Sequence, residues 1–547
     1  MRARNVRLPA LLSACARRVI AGLLLVTGAM PARTAIAATY YSPPEATGDW
    51  RSLIRANGAP TEAEKRAVAD ETSPHASSVE RWDVHEETLI ASGSYANPFQ
   101  DIDVTAIFTH EASGARLTVD GFYDGGNTWR IRFMPTQLGT WRRMTKSNDR
   151  DLDGKMGSIE CVSPAKSYLH GPLKAKGGHF VRADGTPRFL ISTRLSCQFA
   201  LPSVFPRLIA VLKESRINRV LFMMPGVDST KDPVHTQKNL FAAGPDYTRY
   251  NVEAFRAIDD FINTLRKADI LASPYFYYDP RREVMWKMTP EQDRAYIRYA
   301  MARIGAFSNV MPILGNEIEL KTTNYKDKAY DLKSHAWANE MGAFLKSKAV
   351  FGQPVSVHNP CWHEIAVNPS HFTLLKEWPF AGWTDFILKQ AQVGCIGAAS
   401  AMDDSVPQPQ ATAYNERSYA RHNQALIALR KFGQPVINEE PAYDMGSKSA
   451  YASQTPETIR RTFWTAATAG AYAVWGSKAT YVTGDPLPQM RGSATPQYLR
   501  VHHDVMVTMP YAEMEPHNEC VTPANVMLDG EAWRTNFALA KPCEAYL

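Results

Sequence analysis

The chain lacks the features that mark several large classes of protein. Its 547 residues include only 7 cysteines. None of these falls in a Cys-x-x-Cys pair or a paired Cys/His spacing, so a structural zinc module is not expected. There is no Lys/Arg-rich block and no nucleic-acid motif, and the formal charge is only +6. Nothing therefore implies an acidic partner such as nucleic acid. No apolar run reaches the roughly 18 residues that a spanning helix needs. A glycine-rich phosphate turn is also missing. Ser192-Thr193-Arg194-Leu195, where the first strand of a dinucleotide-binding sheet would end, carries no glycine, which argues against an open doubly wound sheet. No cofactor and no metal are expected, and the oligomeric state is left open.

What is present begins at the amino terminus. Arg2, Arg4, Arg7, Arg17 and Arg18 precede a short apolar stretch from Val19 to Met30, and Ala35-Ile36-Ala37 follows. That order reads as a secretory signal peptide over residues 1–37, cut after Ala37 or Ala38. The mature chain is then exported to the periplasm or the exterior. Six cysteines remain after cleavage: Cys161, Cys197, Cys361, Cys395, Cys520 and Cys543. Cys520 with Cys543 is the most local disulfide option, and free buried thiols are the equal alternative.

Composition then divides the chain. Residues 38–78 are rich in Pro, Ala, Glu and Ser and read as a linker. From Val79 to residue 165, short alternating runs such as Val104/Ala106/Phe108 and Trp129–Phe133 are bounded by Gly and Pro turns. This is the pattern of an antiparallel β-sandwich. Over 166–490, short apolar runs alternate with amphipathic helices. The candidate strands are Phe189–Thr193, Asn218–Met224, Leu271–Tyr278, Val310–Asn316, Pro354–His358, Thr384–Leu388, Pro435–Glu439 and Tyr472–Trp475. Eight strand–crossover units fit a (β/α)8 TIM barrel. Residues 491–547 hold a helical stretch at Leu499–Met509, then short strands that would begin a small β-domain.

In such barrels the chemistry sits at the carboxyl ends of the strands. Strand four runs Ile313-Leu314-Gly315-Asn316-Glu317, and strand seven runs Val436-Ile437-Asn438-Glu439-Glu440. Each apolar strand leads straight into a carboxylate, and a buried unpaired carboxylate is costly. Two such acids across a barrel mouth suit glycosidic bond cleavage, in which one acid protonates the leaving oxygen and one carboxylate attacks the anomeric carbon or activates water. Successive strand residues face opposite sides, so only one of Glu439 and Glu440 is expected to enter the site.

Further motifs carry a resemblance. Trp82, Asn97-Pro98-Phe99, Gly121-Phe122-Tyr123-Asp124-Gly125, Arg132-Phe133-Met134-Pro135 and Ser147-Asn148-Asp149 resemble an N-terminal sandwich of uncharacterised role that precedes apiosidase-like glycoside hydrolase barrels. The likeness continues through His179-Phe180, Asp184-Gly185-Thr186-Pro187, Asn316-Glu317, Ser356-Val357-His358-Asn359 and Pro435 through Glu440. It implies Glu317 as acid/base and Glu440 as nucleophile of a retaining enzyme acting on a polysaccharide or a derived oligosaccharide, with Glu439 as runner-up nucleophile. Asn316, His358, Asn359, Tyr277, Asp279, Trp362, Tyr443 and Trp475 are the expected substrate-binding residues, the rings serving as sugar platforms. Tyr275 and Tyr278 at the end of strand three are further candidates. The alternatives are a carbohydrate-binding protein that kept the barrel, and a metal-dependent hydrolase. The second lacks a His-x-His partner on strand one for His358 and His363.

Overall fold

Seven strands come first: β1 (Ser77–Glu80), β2 (His85–Ile90), β3 (Val104–His110), β4 (Arg116–Tyr123), β5 (Thr128–Phe133), β6 (Gly139–Ser147) and β7 (Met156–Val162). The computed structural model describes residues 77–547 apart from 197–198, 200, 225–238, 243–245, 279–286, 319–334, 360–379, 381, 392–415, 442, 445–453, 478–484, 523–524 and 529–530. The expected signal peptide and nearly all of the expected linker lie outside the described residues. The strands form one connected sheet in the order β1-β7-β6-β3-β4-β5-β2. All neighbours are antiparallel except β1 and β7.

The alternation in sequence becomes alternation in burial. Val104, Ala106 and Phe108 of β3 and Trp129, Ile131 and Phe133 of β5 are buried, and their neighbours are partly exposed. This is the period of a pleated strand. β4 changes partner along its length, pairing through Arg116–Asp120 with β3 and through Gly121–Tyr123 with β5. A Cβ at Gly121 would lie 2.6 Å from Val104 Cγ1, so the crossing point needs glycine. The sheet thus folds over on itself, and the Phe108 and Phe133 rings stack with centroids 3.8 Å apart.

A hairpin of β8 (Leu173–Lys176) and β9 (His179–Arg182) leads into the barrel. Phe180 of that hairpin is buried against Phe386 and Tyr472, with ring centroids 5.6 and 5.5 Å away. The barrel strands are β10 (Ser192–Arg194), β11 (Arg219–Met223), β12 (Leu271–Tyr277), β13 (Ile313–Gly315), β14 (His358–Asn359), β15 (Ile387–Lys389), β16 (Val436–Asn438) and β18 (Tyr472–Ser477), with β17 (Tyr443–Asp444) added beside β18. They pair in parallel in the order β13-β12-β11-β10-β18-β16-β15-β14. A parallel bridge from Ile313 to Ser356 closes the ring. All eight expected strands are there, several shorter than their apolar runs. Most of the sixth unit's crossover, residues 392–415, lies outside the described residues.

Helices α1 (Phe205–Glu214), α2 (Val252–Lys267), α3 (Pro290–Ile304), α4 (His335–Lys348), α5 (Glu416–Arg430) and α6 (Pro456–Thr468) connect the strands. Their starts are written in the sequence. Thr289 caps α3, and Gln292 returns a side-chain bond to the Thr289 N–H, a full capping box with Pro290 in the first turn. Asn251 caps α2, with Glu253 in the first turn and Arg266 and Lys267 in the last, signs that suit the helix dipole. Thr455 caps α6.

The β-domain packs beside α2 and α3. The Asp124 carboxylate receives Arg130 Nε at 2.6 Å, Arg256 Nη2 at 3.2 Å and Arg303 Nη1 at 2.8 Å. Asp259 of α2 receives Arg303 at 2.7 Å and Arg132 at 2.9 Å. Phe99 meets Tyr250 and Tyr299 edge-on.

After β18 come α7 (Leu487–Gly492) and α8 (Thr495–Met506). The expected helix is therefore present, starting four residues earlier than its apolar run. His502 of α8 packs against Trp464 of α6 with centroids 4.4 Å apart. Short strands follow, among them β19 (Glu515–Pro516), which pairs antiparallel with Ala540 and Leu539. Cys520 is a free thiol, so the local Cys520–Cys543 pairing is not made. Closeness in sequence does not set the Cα separation or Cβ direction that a disulfide requires. Among the described residues no helix is long and apolar enough to cross a membrane.

Candidate active site

Two strand ends supply the acids. β13 stops at Gly315, and Asn316 and Glu317 follow directly. Glu317 holds φ 47°, a left-handed conformation uncommon outside glycine. Such a residue costs on the order of 1–3 kcal/mol and persists only where its surroundings impose it. Glu317 is partly exposed, whereas Asn316 is buried. Asn316 Nδ2 donates to Glu317 Oε2 at 3.3 Å. Its Oδ1 accepts from His358 Nδ1 at 2.6 Å, which puts the ring proton on Nδ1.

β16 stops at Asn438, and Glu439 and Glu440 lie just beyond it. Both are buried, and both bind the same guanidinium. Arg194 Nη1 donates to Glu440 Oε1. Arg194 Nη2 and Nε donate to Glu439 Oε1 at 2.7 and 3.2 Å. The expectation that only one of the two glutamates enters the site is thus corrected. Alternation of faces holds within a ladder, and the ladder's last bond is the one from Glu439 N–H to the Lys389 carbonyl at 2.9 Å, so it does not govern Glu440.

Arg194, on β10, is the hub. Its Nη2 also reaches Tyr275 Oη at 2.9 Å and Asn316 Oδ1 at 3.2 Å. A continuous hydrogen-bonded chain therefore runs Glu317–Asn316–Arg194–Glu440, with Glu439 as a branch. Glu440 Oε2 accepts two further bonds, from Gln390 Nε2 at 2.9 Å and from the Tyr443 hydroxyl. Tyr275 gives its hydroxyl proton to Glu439 Oε1. Burial pushes the Glu439 carboxyl above the usual glutamate value, against the pull of Arg194 and Arg219. Burial also holds the Tyr275 hydroxyl well above the usual tyrosine range.

Arg194 and Gln390 were not among the expected site residues. Each had a signal in its position: Arg194 ends the first apolar run, and Gln390 follows the sixth. Of the other expected site residues, His358 and Tyr443 join the network through Asn316 and Glu440. Asn359 is buried at the end of β14, and its carbonyl accepts the Gln390 N–H at 2.9 Å. Trp475 is fully buried in β18, next to β10, where its carbonyl accepts the Thr193 hydroxyl at 2.9 Å. Tyr277 is placed otherwise. Its hydroxyl donates to Asp293 of α3 at 2.8 Å, and Trp337 of α4 donates to the same carboxylate. That ring is engaged with the helix layer. Asp279 and Trp362 lie outside the described residues. Among the described residues, the one grouping of three metal-type donors is His517, Glu519 and Cys520, on the C-terminal segment and not among the strand-end acids.

Residues 78–148 match the family described as a domain of unknown function, DUF5060, and residues 216–483 match the family described as "Apiosidase-like, catalytic domain". The chain carries a DUF5060 domain and an apiosidase-like catalytic barrel. Glu317, His358, Glu440 and Trp475 fall inside the matched stretch of this barrel, whereas Arg194 precedes it. Among solved structures, a candidate glycoside hydrolase from Bacteroides vulgatus superposes with a TM-score of 0.60 at 20% identity, covering 79% of each chain. A glycoside hydrolase family 5 protein from the same organism gives a TM-score of 0.47 at 14% identity, over 68% of this chain and 79% of its own. At such identities the first likeness speaks for the fold of the apiosidase-like barrel and its β-domain. A comparison with curated proteins returned no match.

Proposed function

We propose that this protein is an exported retaining glycoside hydrolase that acts on a polysaccharide or an oligosaccharide derived from one. The observation that carries the reading is the hydrogen-bonded chain Glu317–Asn316–Arg194–Glu440 at the carboxyl ends of barrel strands. It joins one partly exposed acid to one buried acid across strands four, one and seven.

The two acids have environments suited to different roles. The Glu440 carboxylate is met by three donors, Arg194, Gln390 and Tyr443. Such a carboxylate is oriented as an acceptor and a nucleophile. Glu317 is more open and receives the Asn316 amide on one oxygen. In the first step Glu317 gives its proton to the glycosidic oxygen as Glu440 Oε attacks the anomeric carbon and the leaving alcohol departs. In the second, Glu317 takes a proton from water, the water oxygen bonds to the anomeric carbon, and Glu440 is released as carboxylate. The β-domain supports the barrel from the side of α2 and α3 and contributes no acid to this chain.

The test is a screen of 4-nitrophenyl glycosides and of plant, algal and bacterial polysaccharides, with product analysis and a Glu440→Ala control. Release of sugar by the wild type and not by the control is the expected result. Binding without hydrolysis across the panel would instead make the barrel a carbohydrate-binding module, and activity lost to chelators would point to a metal-dependent hydrolase.

A further inference from the structure

The acid pair leaves one buried carboxylate unexplained. Glu439 is 1% exposed, yet it sits beside the proposed nucleophile in a barrel interior where an unneeded charge is expensive. One of its oxygens does three jobs. Oε1 accepts from Arg194 Nη2, Arg194 Nε and the Tyr275 hydroxyl. Oε2 is buried and has no hydrogen-bond partner. Arg219 of β11 is fully buried as well, with Nε on Ser273 Oγ at 2.9 Å and no hydrogen-bond partner for either terminal nitrogen. Arg219 stands beyond ion-pair distance of Glu439 but interacts with it through space. Two carboxylates and two guanidiniums are thus buried together, and only Arg194 bonds directly to both acids.

We propose that Glu439 is a positioning residue, an ionised latch that grips two of the three Arg194 nitrogens and so holds the third on Glu440. The inference rests on the reading of Glu440 as nucleophile. The charged and titratable groups facing the latch are Arg194 from β10, Arg219 from β11, Tyr275 from β12 and Glu440 on its own segment. Tyr443 faces Glu440, and His358 reaches Arg194 through Asn316. When Glu439 is protonated, its hold on Arg194 weakens, and Nη1 is no longer fixed against Glu440. Burial works in the same direction, raising the pH at which that protonation occurs. Full activity then requires two carboxylates to be ionised together, and protonating Glu439 alone costs the same factor as removing its charge.

The consequence is read in the acid limb of kcat/KM, measured on whichever 4-nitrophenyl glycoside the screen selects. With two ionisations the limb steepens towards about 100-fold per pH unit over the one or two units in which both groups titrate, whereas one ionisation gives about 10-fold throughout. Glu439→Gln keeps an oxygen to accept from Arg194 but never ionises. It should lower kcat/KM by about 10–100-fold at the optimum, leave KM nearly unchanged, and reduce the limb to about 10-fold per unit. Glu439→Asp should restore the second ionisation. If Glu439→Gln leaves Arg219 too poorly compensated to fold, Glu439→Gln with Arg219→Met removes both charges and carries the same expectation for the slope. A wild-type limb of about 10-fold per unit, or a steep limb that survives Glu439→Gln, overturns the latch. Glu440→Ala separates the two ideas. If that variant stays active, both the reading and the latch fail. If it is inactive and the slope is insensitive to Glu439, only the latch fails.

Discussion

Among the described residues, a cluster of arginine and carboxylate at the domain boundary and another at the barrel mouth are built to opposite ends. At the boundary between the β-domain and the barrel, Asp124 and Asp259 are met by Arg130, Arg132, Arg256 and Arg303. Burial works against the charge on Asp124, but Arg303, Arg256 and Arg130 outweigh it and hold the carboxyl below the usual aspartate value. Arg303 is shifted upward, its burial likewise outweighed, here chiefly by Asp259. At the barrel mouth the balance is reversed. Burial raises Glu439 and lowers Arg219, and the partners present do not fully compensate. A cluster in which cations outnumber acids locks charge in place and serves stability. A cluster with stranded polar atoms retains charge at a cost, as expected where charge has chemical work to do.

The largest effect that would sharpen this contrast is at the mouth. Glu440→Ala should lower kcat by on the order of 10⁴-fold or more in protein that remains folded. Glu317→Ala should cost about 10²–10⁴-fold with a poor leaving group and far less with an activated one, and added azide should then yield a glycosyl azide of retained configuration. Equal loss with both leaving groups would remove Glu317 from the acid/base role.

The boundary cluster should behave in the opposite way. Asp124→Ala leaves Arg303 buried with one anion fewer, and should cost about 3–5 kcal/mol in unfolding free energy, with kcat/KM nearly intact in protein that remains folded. Its pH signature follows from a depressed carboxyl. The stability from Asp124 is fully present above the ordinary aspartate value near pH 4 and fades as pH falls through the lower folded value. Unfolding midpoints measured from pH 6 down to 3 should therefore fall less steeply for Asp124→Asn than for the wild type. Equal slopes would contradict the account of that cluster. The smallest effect is expected at Tyr443→Phe, which deletes one bond to Glu440 and should cost about 10-fold or less in kcat.

Much of this was legible in the sequence, for identifiable reasons. The eight barrel strands and the capped helices are local patterns, and Thr289 with Gln292 forms the box its spacing announces. The strand-end positions of Glu317 and Glu440 were legible because each follows an apolar run. Arg194 was not, because its importance lies in partners far along the chain, 122 residues away at Asn316 and 246 at Glu440. Tyr277 misled for a related reason. A tyrosine at a strand end can face the mouth or the helix layer, and only the carboxylate of Asp293, supplied by a helix, decides which. Glu439 shows the limit of the alternation rule, which cannot say where a ladder stops.

The central claim is that Glu440 forms the covalent bond to sugar. The most direct test is to trap that intermediate with a 2-deoxy-2-fluoroglycosyl fluoride of the sugar the screen selects, and to locate the added mass by peptide mapping. The account predicts one glycosyl group per chain, on Glu440, formed also in Glu439→Gln. A label on Glu439, or turnover with inverted product and no label at all, would contradict it.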